Sequence, residues 1–268
     1  MGIPLEKVNQ KTARPPIGLA AQNQTKRGKT MKRIIFVAIV LSLAVLAVPS
    51  AMAQSAGPKV IAPNSVTFGR TYSEWSAAWQ QWALSIPVAN HPLFDNGDCS
   101  VGQSGPVWFL GGKFCANNTP NCGTNNVVRS CSVPTGKALY IPVLNAEWSV
   151  LELNDPKVQI ADLRSFAASN MDAAANLSFE IDGAAIPHLQ DRFRVQSTAF
   201  VFTIPDDNLF TAVGEGFFTG GSYFPGVDDG VYVMLSPLPA GPHQVHFHGA
   251  FPVYNFTLDI TYHLMVGK

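Results

Sequence analysis

The chain predicts a mainly β protein, a β-sandwich of Ig-like or jelly-roll type with two flanking helices. Three observations lead there. From Leu177 onward, several short runs alternate apolar and polar side chains, the period of a half-buried strand. Glycine and proline, 22 and 20 of the 268 residues, punctuate the chain and turn it between those runs. Hydrophobic residues make up 47% and charged ones 13%, enough to bury a core and unlike a disordered composition.

The leader comes first. Residues 31–53, MKRIIFVAIVLSLAVLAVPSAMA, have the layout of a secretory signal peptide. Lys32 and Arg33 make a basic start and Ile34 to Val48 an uncharged apolar run; Ala51-Met52-Ala53 follows Pro49 as a small-x-small cleavage site. The apolar run is shorter than the roughly 20 residues that a bilayer core requires. Residues 1–30 then read as an over-extended upstream start, and 54–268 as one mature domain, secreted or periplasmic, cleaved after Ala53 and not membrane-spanning. The first 53 residues hold eight Lys/Arg and one Glu, which leaves ten basic and seventeen acidic residues. An acidic balance argues against nucleic acid as a partner, since phosphates need clustered Lys/Arg.

In the mature chain, Thr71 to Ser85 reads as a helix. Thr71 with Glu74 makes a capping box, and Trp75, Trp79 and Trp82 share one face. Pro106 to Leu110 is a compact strand. Ala138 to Val143, with Pro142 inside, reads as a strand near an edge. Asn154 or Asp155 caps a second helix with Pro156 at its first position, running to about Ala175. Leu177, Phe179 and Ile181 alternate up to an Asp182-Gly183 hairpin turn. Phe200 to Ile204 is the next strand. Asp229-Gly230 starts another, Val231 to Leu235, whose two apolar faces make it central. Gln244 to His248 and the six-fold alternation from Phe256 to Val266 complete the set.

Four cysteines in an exported chain imply two disulfides, for which three pairings exist. The nested one, Cys99–Cys131 around Cys115–Cys122, is the expectation.

The motifs W-S-x-x-W-x-x-W (Trp75 to Trp82), G-Q-x-G-P-V-W-F-L (Gly102 to Leu110) and C-x-V-P-x-G-K (Cys131 to Lys137) occur in this order. They are followed by Asp229-Gly230, P-L-P-A-G-x-H (Pro237 to His243) and D-I-T-Y (Asp259 to Tyr262). In these the chain resembles a group of uncharacterised secreted bacterial proteins. The resemblance spans most of the mature chain and implies export and a β fold, with no activity attached.

Four constellations bear on chemistry. His246 and His248 point the same way along a strand, and His263 and Asp259 lie on the next one, a donor set that suits Zn²⁺ or Cu²⁺. Trp75, Trp79 and Trp82 offer flat faces for a sugar, although helical spacing favours core packing. Glu147, set among amide and aromatic side chains in an expected loop, is the carboxylate best suited to catalysis. Asp95, Asn96 and Asp98 offer oxygen ligands for Ca²⁺ without the EF-hand spacing, so a plain turn is expected. Asp206-Asp207 and Asp228-Asp229 read as turn residues, and Arg192 and Arg194 as strand-surface residues. G-x-S-x-G is absent, and Gly214-x-Gly216 lacks the rest of a dinucleotide loop. The functional expectation is an exported, non-catalytic binding or interaction protein, its partner a glycan or a protein. The alternative is a secreted metal-dependent or glycan-directed enzyme.

Overall fold

A computed structural model describes residues 58–267 apart from Asn118, Asn121, Asn125 and Asn154. The expected signal peptide and the segment before it lie outside the described residues. The elements in chain order are β1 (Val60–Ile61), α1 (Tyr72–Ser85), β2 (Val107–Phe109), β3 (Val127–Pro134), β4 (Ala138–Ser149), α2 (Val150–Leu153), α3 (Ile160–Asp172) and β5 (Ala175–Ile181). There follow β6 (Ala184–Ala185), α4 (Leu189–Phe193), β7 (Arg194–Gln196), β8 (Phe200–Ile204), α5 (Leu209–Val213), β9 (Gly221–Leu235), β10 (Gly241–Phe251) and β11 (Phe256–Gly267).

The protein is mainly β, with two sheets and several helices. One sheet runs β1-β9-β4-β2, with β7 and β8 pairing further stretches of the long β9. The other runs β3-β11-β10-β5-β6. Neighbours are antiparallel except for β2 on β4 and β3 on β11, which are parallel. One apolar cluster takes Leu139, Ile141, Val231 and Val233 from the first sheet and Phe179, Val245, Phe247 and Ile260 from the second. The alternation in β11 behaves as its period demands: Phe256, Leu258, Ile260, Tyr262, Leu264 and Val266 are all buried.

Three boundaries move. The strand expected over Ala138 to Val143 at an edge runs on to Ser149 and lies between β9 and β2. Pro142 is accommodated because the β4–β9 register shifts between Pro142 and Leu144, so its missing N–H falls at an irregularity of the ladder. The strand expected to start at Asp229-Gly230 extends back to Gly221. The second helix begins at Ile160, because the Asp155 carboxylate accepts the Lys157 backbone N–H at 2.8 Å and makes a turn instead of a cap. The short helices α2, α4 and α5 were not expected, since four or five residues are too few to carry a helical period.

Helix α1 has its expected cap. The Glu74 N–H donates to Thr71 Oγ1 at 3.3 Å, and the Thr71 N–H donates to Glu74 Oε2 at 2.7 Å. Both disulfides form as expected, Cys99–Cys131 and Cys115–Cys122. They fit an oxidising compartment. No helix among the described residues is long and apolar enough to cross a membrane.

Candidate functional site

The polar centre of the molecule lies where α1 covers the β4–β9 ladder. Antiparallel pairing places Glu147 opposite Asp228, Asn145 opposite Gly230 and Pro142 opposite Tyr232. From above, Ser76 and Gln80, one helical turn apart, reach down from α1. Asp228 collects all of them. Its carboxylate accepts the Ser76 hydroxyl at 2.7 Å, the Gln80 amide at 2.7 Å, the Asn145 amide at 2.9 Å and the Tyr232 hydroxyl at 2.7 Å. Gly230 makes the room: a Cβ there would stand 2.5 Å from the Asn145 Cβ and 2.7 Å from the Tyr232 ring.

The expectation that Asp228-Asp229 is a turn is therefore corrected. Both residues are buried in the middle of a long strand, and alternation sends them to opposite faces. Burial pushes the Asp228 carboxyl up to about 6, although the four donors pull it back. Asp229 is held in a fork by Arg194, at 2.8 Å from Nε and 3.1 Å from Nη2. Arg194 also reaches Asp172 at 2.6 Å and the Ala168 carbonyl at 3.1 Å. It ties α3 to the sheet, contrary to the surface role expected of it.

Glu147 lies in β4 and not in the expected loop, and it is only 5% exposed. Its carboxyl is pushed well above the usual carboxylate range. Burial is the main cause, followed by the charge and hydrogen bonding of the adjacent Glu152 carboxyl, then by Asp228. Glu152 in turn accepts the Ser149 backbone N–H at 2.9 Å. The Oε1 atoms of Glu147 and Glu152 are both buried without a hydrogen-bond partner.

Glu147 also lines a cavity of about 50 Å³ that runs from α1 towards β11. Its polar lining is Gln80, Lys113, Asn145 and Glu147; its apolar walls include Trp79, Phe114, Phe251 and Leu258. Gln80 and Asn145 spend their NH₂ groups on Asp228, so their amide oxygens lie on the far side of each amide from it. Lys113 is brought in by Gly111-Gly112. A Cβ on Gly111 would stand 2.7 Å from the Trp79 ring, so glycine lets the backbone pass close to that indole. The Arg129 guanidinium donates to the Gly112 carbonyl at 2.7 Å and fixes that path. Lys113 is 7% exposed. Burial, then the nearby Arg129 charge, lowers its ammonium pKa, and Asp95 and Asp259 oppose this.

The other constellations resolve differently. His246 Nε2 meets Asp259 Oδ1 at 2.8 Å, while His248 Nδ1 meets the Asn176 carbonyl at 2.8 Å. His263 lies opposite Gln244 and is exposed. His263 and Asp259 are four residues apart on one strand, roughly 13 Å. No three His, Cys, Asp or Glu side chains among the described residues gather into a metal-holding group. The expected convergence of His246, His248, His263 and Asp259 on Zn²⁺ or Cu²⁺ is thus replaced by separate pairings. Trp75, Trp79 and Trp82 are 7%, 2% and 7% exposed, and their indole N–H groups donate to the Thr67, Leu110 and Val101 carbonyls. They are core residues and offer no sugar platform. Asp95 pairs with Arg129 at 2.6 Å, and Asp98 accepts the Ser100 N–H at 2.8 Å, so these two residues serve the local structure. Asp207 accepts the Ala89 N–H and Asp206 the Gly220 N–H, as turn residues do.

Sequence reasoning missed Ser76, Gln80, Lys113 and Asp228. A signal existed for two of them: Ser76 and Gln80 are polar residues at i and i+4 within a helix whose other positions are largely apolar.

No protein-family model matches the chain, and no curated protein matches it. Among solved structures, a chain of the structure of PbICP-C in complex with falcipain-2 is similar at 12% identity and a TM-score of 0.24. The match covers 59% of this chain and 98% of that one.

Proposed function

We propose that the chain is an exported binding module that holds a small ligand, or the end of a larger one, in the cavity beneath α1. The two sheets with their shared core are read as a sandwich of Ig-like or jelly-roll type carrying this cavity. The observation that carries the reading is the lining itself. Gln80, Lys113, Asn145 and Glu147 line it together with apolar walls, the composition of a small-molecule site. Such a lining suits a ligand with a hydroxyl or carbonyl head and a short apolar body. The disulfides support export, and the resemblance to secreted bacterial proteins agrees with it.

A second reading, a glycan-directed enzyme, is favoured by one feature: burial and the neighbouring Glu152 raise the Glu147 carboxyl, the direction that a general acid needs. Both readings meet in one experiment. The full chain, exported to an oxidising compartment, is melted with and without a panel of short alcohols, aldehydes and monosaccharides. A ligand at a hundredfold excess over its Kd adds about 2.7 kcal/mol of stability and raises the melting temperature. No shift from any member of the panel removes the binding reading. Turnover of chromogenic glycosides, abolished in E147Q, would move the assignment to the enzyme.

A further inference from the structure

We propose that the cavity beneath α1 selects a cation, the ammonium head of a short alkylamine, with Glu147 as its counter-ion. This rests on the binding reading and extends it from neutral heads to a charged one. Glu147 lines the cavity and is 5% exposed, and its Oε1 has no hydrogen-bond partner among the described residues. A buried carboxylate oxygen left without a donor is costly, and a ligand that brings one removes the cost. Gln80 and Asn145 line the same cavity; each directs its NH₂ group to Asp228, and their amide oxygens remain to accept. A primary ammonium carries three N–H donors and no acceptor, which matches these three side chains.

The charges around Glu147 have the sign that a cation needs. Glu152 and Asp228 both act on its carboxyl and, with burial, raise it. An ammonium placed against Glu147 offsets the repulsion within this group of acids and favours the ionised carboxylate. The Lys113 ammonium answers to other charges: Arg129, Asp95 and Asp259 act on it, and none of these lines the cavity. Trp79 and Phe114 add aromatic surface, which attracts cations, and Leu84, Leu144 and Leu258 add aliphatic surface for a tail. At about 50 Å³ the space holds a few non-hydrogen atoms, which limits the tail to about three carbons.

The probe is propylammonium chloride, with propan-1-ol as its neutral analogue and sodium propanoate as its anionic one. The exported full chain is melted near neutral pH with each in turn, at one ionic strength. Propylammonium is expected to raise the melting temperature and to bind about tenfold tighter than propan-1-ol, because hydrogen bonds between charged partners are the stronger kind. Propanoate is expected to have no effect. In E147Q, which keeps the shape without the charge, the propylammonium shift is expected to disappear. A crystal of the natural sequence soaked with propylammonium is expected to show the head within hydrogen-bond distance of Glu147, a result that stands even if E147Q folds poorly. Propan-1-ol binding as tightly as propylammonium, an undiminished shift in E147Q, or a head bound away from Glu147 overturns the inference. In the first case the cavity still binds and only the selection of charge falls. If none of the three probes shifts the melting temperature, the binding reading falls with it.

Discussion

Glu147 and Asp228 stand directly opposite one another across the β4–β9 ladder, two buried carboxyls on the face that α1 covers. Like charges in such a position destabilise a sheet. The fold resolves this by division of labour. Asp228 takes four hydrogen-bond donors, and burial beside Glu152 holds the Glu147 carboxyl above the usual carboxylate range.

Replacing Glu147 by Gln follows from that division. The folded-state pKa is raised, so Glu147 contributes most at acid pH and progressively less as pH rises above the unfolded carboxylate value. E147Q retains the shape and loses the titration. The variant is expected to match the natural protein near pH 4 and to gain on it steadily towards pH 8. Urea unfolding at the two pH values measures this, and a constant difference between the two proteins would sink it.

Asp228 and His91 make a second prediction, because their linkages oppose each other over nearly the same range. His91 is fully buried, with Nε2 2.9 Å from the Ala83 carbonyl and Nδ1 accepting the Leu93 N–H at 3.1 Å. Burial lowers its pKa from 6.5 to about 4, so the native state binds fewer protons than the unfolded one and stability falls as pH drops through this range. Asp228 is raised from 3.8 to about 6, so stability falls as pH climbs through its range. At about 1.4 kcal/mol per pH unit each is worth about 3 kcal/mol, and they nearly cancel. D228N removes one side of the balance. Its stability is expected to drop by about 3 kcal/mol more than that of the natural protein between pH 7 and pH 4.

Arg194 holds a carboxylate that has almost no access to water. Arg194→Met leaves Asp229 buried and stripped of its fork, which costs about 3–5 kcal/mol. The double variant R194M/D229L is expected to recover much of this loss, because an apolar pair has no charge to desolvate. Denaturant midpoints of the natural protein and the two variants decide it.

The disulfides differ in the length of chain they close, with sequence separations of 32 and 7 residues. On the chain-entropy model the longer loop contributes about 4 kcal/mol and the shorter about 2.5 kcal/mol. The double replacement C99A/C131A should therefore lower stability more than C115A/C122A. Equal losses, read from thermal unfolding, would contradict the ranking.

Much of the fold is fixed by local pattern. The capping box and three-tryptophan stripe of α1, the period-two alternation of β8 and β11 and the Asp182-Gly183 turn all depend on near neighbours along the chain, and all are present in the structure. Glu147 was visible as a carboxylate among amide and aromatic groups, but its setting was not. Whether Asp228-Asp229 turns a chain or anchors a sheet depends on Ser76 and Gln80, about 150 residues away, arriving as donors. Without those donors a buried aspartate is too costly to keep, so the pattern alone reads as a turn. The histidines show the converse. Their spacing along the strand is local, but convergence on a metal needs a register that brings three donors together, and the β10–β11 pairing gives each a different partner. Strand period and crosslinks were legible in the sequence by itself. The cavity, the raised carboxyl of Glu147 and the burial of Lys113 came only with tertiary structure, because burial, and with it the energetics of charge, is a property of what packs around a residue.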